Sequence, residues 1–319
     1  MEFIAARNAA GDSPTIIRDT VDDLSEAAPV VSLDDIPREP DKLIDATAPR
    51  LISHRLCDVK SETLEWLWPN RVPLGKLTLL SGDPGLGKSF VTCDMASRVS
   101  TGTAWPDDST AQPVGSVIVF NCEDGLADTI RPRIERAGAD LTKIMAIEGI
   151  QLFDLKTHED RQRGFSLASD LSQLAGELAK LSDCRLVVID PVSAYLGDAD
   201  SHKNSDVRAL LAPLAQLAER HRVAIVMVNH LSKGAGAKAI YRSMGSMGFI
   251  AAARAAWHFA KDPENEQRRL ILPAKMNLAP NPTGLAYCIE DGAVRWEADP
   301  VRMTADELLA LELENLSSG

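Results

Sequence analysis

One eight-residue segment, Gly82-Asp83-Pro84-Gly85-Leu86-Gly87-Lys88-Ser89, constrains the fold more than any other part of the chain. It matches the pattern G-x-x-x-x-G-K-[ST], in which glycines let successive backbone N–H groups point at phosphate oxygens. The segment follows an apolar run at 77–81 and precedes a helical pattern that opens at Phe90. A strand, a glycine-rich turn and a helix in that order predict an α/β fold with a phosphate site at the helix N-terminus.

Two side chains of this turn carry chemistry that the backbone cannot supply. We expect Lys88 to reach the β- and γ-phosphates of ATP and the Ser89 hydroxyl to bind Mg²⁺. The alternative is a glycine-rich turn that binds no nucleotide. The predicted nucleotide-binding residues are Gly82, Asp83, Pro84, Gly85, Leu86, Gly87, Lys88, Ser89 and Phe90.

Carboxylates follow two further apolar runs. Leu186-Val187-Val188-Ile189-Asp190 places an acid at the carboxyl end of a predicted strand, where ligands of open α/β sheets bind, and Asp190 is the expected metal ligand. Glu123 follows the run at 116–121, so it is expected at the same edge and is the candidate general base that orients the attacking water. Asp124 is its rival for that role, and helix capping is the alternative for Glu123.

The rest of the pattern predicts a mainly parallel sheet. Apolar runs without alternation are typical of strands covered by helices on both faces, and they lie at 77–81, 116–121, 186–190 and 224–229. Apolar residues three and four apart predict helices at 90–99, 127–137, 167–181 and 206–220. Runs at 269–274 and 286–290 predict additional C-terminal strands. The predicted fold class is therefore α/β, with helices flanking the sheet.

Composition changes mark three regions. The first fifty residues contain eleven acidic and five basic side chains, and residues 1–45 hold one aromatic residue, so 1–45 is expected to be a largely disordered acidic tail. Residues 46–300 form the predicted ATPase domain. Residues 301–319 are predicted to form an amphipathic helix that Thr304 caps, with Glu307 three residues later.

Charge and cysteine usage exclude several classes of protein. No run of about 18 apolar residues and no signal peptide pattern occurs, so we expect a cytoplasmic protein with no membrane partner. The five cysteines lie far apart without a C-x-x-C pair, which favours neither a disulfide framework nor a zinc site. A net charge of −12 excludes a generally basic surface, so any contact with nucleic acid is local.

Together with Asn121-Cys122-Glu123-Asp124 and Asn229-His230-Leu231-Ser232-Lys233, the glycine-rich turn and Asp190 resemble RecA-type ATPases of the plasmid RepA helicase group, from about residue 65 to 277. This resemblance implies a RecA-like P-loop core in which Glu123 activates water. It also implies that His230, at the end of a later strand, senses the γ-phosphate.

The resemblance further implies that the nucleotide lies between subunits of a homo-oligomer, in the form of a hexameric ring. Arg254 matches the position of the family's arginine finger, and Lys275 follows a strand nearby. For both, a buried ion pair within the chain is the alternative. Arg133 matches the residue that stacks on adenine, with a solvated helix face as the alternative. No aromatic partner for the base is evident near Leu278.

Such rings contact DNA through two loops near their centre. The first loop here, 193–206, is acidic and poorly suited to phosphates. The second, 231–248, has no acidic residue and carries Lys233, Lys238 and Arg242, so we expect single-stranded DNA there. A solvated loop without a ligand is the alternative.

Three functions are compatible with these features. As the resemblance implies, the first is Mg²⁺-dependent ATP hydrolysis coupled to DNA translocation or unwinding in plasmid or phage replication. The second is a DNA-dependent ATPase of the recombinase-mediator kind, which does not unwind DNA. The third is an ATP-gated assembly scaffold with slow hydrolysis.

Overall fold

The computed structural model describes residues 51–107, 109–110, 113–154, 158–197, 203–230, 247–308 and 310. The chain divides into two units, Met1–Ser61 and Glu62–Gly319. In the first unit, Leu56–Asp58 forms a 3₁₀ turn. The predicted acidic tail, 1–45, lies outside the described residues, as do 309 and 311–319 of the predicted C-terminal helix.

The second unit is an α/β structure. In chain order its strands are β1 (Trp66–Trp68), β2 (Val72–Pro73), β3 (Leu77–Gly82), β4 (Ser116–Asn121), β5 (Ile144–Ile147), β6 (Ile150–Asp154), β7 (Glu159–Arg163), β8 (Cys184–Asp190), β9 (Ala224–His230), β10 (Ala255–Asp262), β11 (Asn265–Met276), β12 (Leu285–Glu290) and β13 (Ala293–Trp296). Its helices are α1 (Lys88–Thr101), α2 (Arg131–Arg136), α3 (Leu171–Lys180), α4 (Asn204–His221) and α5 (Met247–Ala252).

Within the described residues, nine strands form the central sheet in the order β13-β12-β11-β10-β3-β9-β8-β4-β5. From β10 to β5 all neighbours are parallel. From β10 to β13 they are antiparallel. The predicted α/β class, with a mainly parallel sheet and additional C-terminal strands, is therefore confirmed.

Helices cover the parallel strands on both faces, which explains their uninterrupted apolar sequences. On one face, Leu79 of β3 belongs to a core with Leu174 of α3 and Leu211 of α4. On the other face, Leu80 of β3 belongs to a core with Val91 of α1. Neighbouring residues of one strand thus enter different cores, because side chains alternate across a sheet.

The predicted helix 127–137 is only partly α-helical. Leu126–Ile130 forms a π-helical turn, and α2 begins at Arg131. Pro132 has no N–H to donate to the preceding turn, so a continuous α-helical ladder cannot cross this point.

The structure also contains elements that the sequence did not indicate. β10 includes three alanines, which have low strand propensity. β7 is exposed along its whole length and lacks an apolar run. The predicted helix 167–181 begins later, at Leu171. In each case the local apolar pattern is too weak or too broad to define the element.

The C-terminal segment packs on the antiparallel strands. Residues 305–308 are helical, and the Thr304 N–H donates to the Glu307 carboxylate at 2.7 Å. In return, the Glu307 N–H donates to the Thr304 hydroxyl at 3.2 Å, which is the reciprocal pattern of a capping box. Leu308 is buried against Leu270 and Leu272 of β11.

His258 on β10 is a largely buried histidine beside the glycine-rich turn. It pairs with Ser81 of β3, and among the described residues no group accepts or donates a hydrogen bond at its Nδ1. Burial lowers the pKa of His258 from 6.5 to about 4; the Asp83 charge opposes this shift, and the Lys88 charge adds to it. The folded protein therefore holds this imidazole neutral.

We predict that His258 makes the fold sensitive to mild acid. Because its folded pKa is below its unfolded pKa, the unfolded chain binds the extra proton, and stability falls as the pH drops below 6.5 toward about 4. The variant His258→Asn cannot titrate at this position. When the pH falls from about 7.5 to about 5, its free energy of unfolding should therefore decrease by about 2 kcal/mol less than that of the wild type. Urea denaturation at both pH values measures the difference, with His158→Asn on an exposed turn as the control. An equal loss in the wild type and in His258→Asn would contradict the prediction.

Candidate nucleotide-binding site

The turn between β3 and α1 has a backbone shape that only glycine permits at two points. Gly87 has a φ of +89°, and a Cβ there would lie 2.5 Å from the Cδ1 of Ile289. A Cβ on Gly82 would lie 2.5 Å from the carbonyl oxygen of Phe259. Gly82 is thus required by close packing of the turn against the backbone of β10, and Gly87 by its positive φ.

Lys88 is buried and points back into the turn. Its Nζ donates hydrogen bonds to the carbonyl oxygens of Gly82 at 2.7 Å and Asp83 at 2.8 Å. Burial lowers the pKa of Lys88 from 10.5 to about 8, against the opposing influence of Asp190, Asp83 and Glu123. The ammonium group is therefore held at the turn, from where it can reach a phosphate bound by the turn's N–H groups.

Asp190 ends β8 and is 4% exposed. Burial raises its pKa, while a hydrogen bond with the Ser89 side chain and the charges of His230 and Lys88 lower it. A hydroxyl and a carboxylate in contact are hard oxygen ligands and fit Mg²⁺. Within the described residues, no group of three or more His, Cys, Asp or Glu side chains forms a metal site. Magnesium at Ser89 and Asp190 would therefore take its further ligands from phosphate oxygens and water.

Glu123 and His230 converge on the same place. His230 ends β9 opposite Gly82, and its Nε2 lies 3.7 Å from the Glu123 Oε2 and 3.9 Å from the Asp190 Oδ1. The Asn121 Oδ1 accepts the N–H of Glu123 at 3.0 Å, which fixes the chain as it leaves β4. The Glu123 side chain is 58% exposed, so solvent water reaches it.

Asp124, the rival candidate for the general base, has a different partner. Its Oδ2 accepts a hydrogen bond from the Arg133 Nη1 at 2.7 Å. The Arg133 guanidinium carbon also lies 4.9 Å from the centre of the Phe90 ring. Arg133 is thus fixed beside the start of α1 and is not on a freely solvated face. Of these two neighbouring acids, Glu123 is the one whose carboxylate lies beside His230.

Arg254 and Lys275 lie at the opposite edge of the sheet. The Arg254 N–H donates to the carbonyl oxygen of Leu77, at the start of β3, whereas the turn follows the end of this strand. Six residues of strand separate the two edges by about 17 Å. The Arg254 side chain is exposed, so the alternative of a buried ion pair is wrong for this residue.

Lys275 contacts carbonyl oxygens at the end of α5. Its Nζ donates to Ile250 at 2.7 Å and to Ala253 at 2.8 Å. Burial lowers the pKa of Lys275, and the nearby charge of Arg254 acts in the same direction. The two cations therefore form a positively charged pair at the amino edge of β3 and β10.

The sequence did not indicate the side of the site that β12 forms. The Tyr287 hydroxyl donates to the carbonyl oxygen of Leu86 at 2.6 Å, although 201 positions separate the two residues. Ile289 of the same strand touches the turn at Gly87. Neither residue belongs to a recognisable motif, so only the strand order brings them to the turn.

The predicted DNA contacts belong to the segment 231–248. Lys233, Lys238 and Arg242 lie outside the described residues, and α5 begins at Met247.

None of the helices in the described residues combines the length and the apolar character needed to cross a bilayer.

Comparison with known proteins finds relatives of this chain. The protein named DNA repair protein RadA in two Mycobacterium tuberculosis strains is 25% identical over 256 residues, which cover 79% of this chain and 46% of RadA. The protein of the same name in Streptococcus pneumoniae is 26% identical over 159 residues, which cover 50% of this chain and 31% of that protein. This chain thus spans less than half the length of these relatives.

A family model described as AAA domain, AAA_25, matches residues 46–236. This range is more than half of the chain and contains the glycine-rich turn, Glu123, Asp190 and His230. A match of this extent shows that the chain belongs to the AAA_25 family of RecA-like P-loop ATPases.

Proposed function

We propose that this chain hydrolyses ATP with Mg²⁺ at a site shared between neighbouring copies, and that hydrolysis drives movement along single-stranded DNA. The observation that carries the proposal is the division of the charged groups between two edges of one sheet. Lys88, Asp190, Glu123 and His230 lie at the carboxyl edge, whereas Arg254 lies at the amino edge.

At the carboxyl edge, each side chain has one task. Ser89 and Asp190 would hold a magnesium ion, which would supply positive charge to the phosphate oxygens. Lys88 adds a second positive charge at the turn. Glu123 orients the attacking water and accepts its proton, for which its exposed carboxylate is suited. His230 lies between Glu123 and Asp190, where its ring can respond to the presence of the γ-phosphate.

The amino edge carries a further cation that the site of a neighbouring copy could use. Phosphoryl transfer is accelerated by a cation that neutralises charge on the transferred group. Arg254 is exposed, but about 17 Å of strand separates it from the turn in its own chain. A copy that presents its amino edge to the carboxyl edge of the next copy would complete each site. Such head-to-tail contacts generate rings or filaments, and we propose a hexameric ring.

Two observations support work on DNA. The matched relatives carry the name DNA repair protein RadA, and the segment 231–248 carries Lys233, Lys238 and Arg242 without an acidic residue. The leading proposal is translocation with strand separation, as in replication. The names of the relatives favour a second candidate, a DNA-dependent ATPase that acts in repair without unwinding. Displacement of a strand from a forked duplex in the presence of ATP distinguishes the two.

We predict that Glu123→Gln binds Mg²⁺-ATP as the wild type does but hydrolyses it at least about a hundredfold more slowly, because an amide cannot accept the proton. Asp124→Asn is the matched control, since Asp124 already pairs with Arg133. Phosphate release and nucleotide binding measure the two effects. If Asp124→Asn abolished turnover and Glu123→Gln retained it, the roles assigned to these acids would be wrong.

We predict that Arg254→Ala still binds ATP but turns it over at least about a thousandfold more slowly. Arg295→Ala, which removes an exposed arginine from β13, should have little effect. Steady-state ATPase rates and the oligomer size measure the outcome. Normal turnover by Arg254→Ala in a monomeric state would refute the shared site.

Mixing two inactive variants tests the sharing directly. In an equal mixture of Arg254→Ala and Lys88→Ala, an intact turn and an intact Arg254 meet at about one quarter of the contacts in a random ring. Activity should therefore reappear in the mixture. No recovery, with mixed rings verified by mass, would show that Arg254 does not act across the contact.

We predict that replacing Lys233, Lys238 and Arg242 by alanine weakens binding of single-stranded DNA. Each cation that contacts a phosphate releases a counterion, so the slope of log affinity against log salt concentration should become shallower by about 2. Fluorescence anisotropy at several salt concentrations measures the slope. An unchanged slope would place the DNA elsewhere on the molecule.

A further inference from the structure

The glycine-rich turn rests on β12 as well as on its own flanking elements. Tyr287 of β12 is fully buried, and its hydroxyl donates to the Leu86 carbonyl oxygen at 2.6 Å. Burial also raises the pKa of Tyr287, so the phenol keeps the proton that it donates. Ile289, two residues along β12, fills the space in front of Gly87. The contact therefore fixes the peptide between Leu86 and Gly87.

The planarity of the peptide bond gives this contact a consequence for phosphate binding. In a trans peptide the C=O of one residue and the N–H of the next point in opposite directions. Among the described residues, the one cis peptide is Asp190-Pro191, so the Leu86-Gly87 peptide is trans. When Tyr287 holds the Leu86 carbonyl toward β12, the Gly87 N–H must point away from β12. N–H groups of the turn are what bind phosphate oxygens.

β12 can hold the carbonyl because it is itself anchored to α1. The Tyr287 ring lies 5.4 Å from the Trp296 ring of β13. The Trp296 Nε1 donates to the Asp94 carboxylate of α1 at 3.0 Å. The phenol is thus fixed relative to the helix whose N-terminus receives the phosphates.

We propose that Tyr287 is a positioning residue for nucleotide binding, which orients the Gly87 N–H toward the phosphates by holding the Leu86 carbonyl. This inference rests on the proposed function, because it assumes that the turn binds ATP. Tyr287 does not touch the nucleotide in this proposal. Its loss should therefore weaken binding more than it slows the chemical step.

The test compares two variants that each remove a buried hydroxyl bound to a backbone carbonyl. Tyr287→Phe removes the donor to the Leu86 carbonyl oxygen. Ser97 lies on α1, away from the turn, and Ser97→Ala removes its 2.7 Å hydrogen bond to the Ala137 carbonyl oxygen. We expect Tyr287→Phe to raise the Kd for Mg²⁺-ADP and the KM for ATP about five- to tenfold, with kcat changed less than about twofold. Ser97→Ala should leave Kd and KM near the wild-type values.

The shift in Tm that saturating Mg²⁺-ADP produces in each variant corrects for any general loss of stability, since it compares the same variant with and without nucleotide. A smaller shift for Tyr287→Phe alone supports the proposal. Wild-type Kd in Tyr287→Phe, or equal weakening in Ser97→Ala, overturns this inference and leaves the proposed function intact. If the unchanged protein did not bind Mg²⁺-ADP, the proposed function would fail, and this inference would fail with it.

Discussion

Parallel pairing of β4, β8, β9 and β3 brings the side chains of the candidate site together. Parallel strands bring their carboxyl ends to one edge, so residues that are far apart in sequence meet there. Asn121 pairs with Asp190 across β4 and β8, and Gly82 pairs with His230 across β3 and β9. The polar residues that end these strands therefore lie close to one another and to the turn.

Gathering these groups has an electrostatic consequence. Burial destabilises the charged forms of both Lys88 and Asp190, since it lowers the pKa of the first and raises the pKa of the second. Each moderates the effect on the other. The site therefore brings together a cation, an anion and backbone N–H groups at fixed positions, which is how a preorganised environment favours a charged phosphoryl group.

The antiparallel strands give the sheet a second role. β12 supports the turn through Tyr287, while the start of β10 and the end of β11 carry Arg254 and Lys275 at the opposite edge. One continuous set of strands thus contacts the site at the carboxyl edge and presents cations at the amino edge. In the proposed oligomer, the same strands would contact both the chain's own site and the site of its neighbour.

Local sequence patterns predicted the parallel core and the residues that end its strands. A G-x-x-x-x-G-K-S segment between a strand and a helix favours a phosphate-binding turn, and uninterrupted apolar runs favour strands that are covered on both faces, so local patterns were enough to predict that Lys88, Ser89, Asp190 and Glu123 lie near one edge of the sheet. Local patterns do not predict contacts between segments that are distant in sequence. Only the tertiary structure shows that Tyr287 supports the turn and that Arg254 is exposed at the far edge. Strand order determines these contacts, and it results from packing summed over the whole domain.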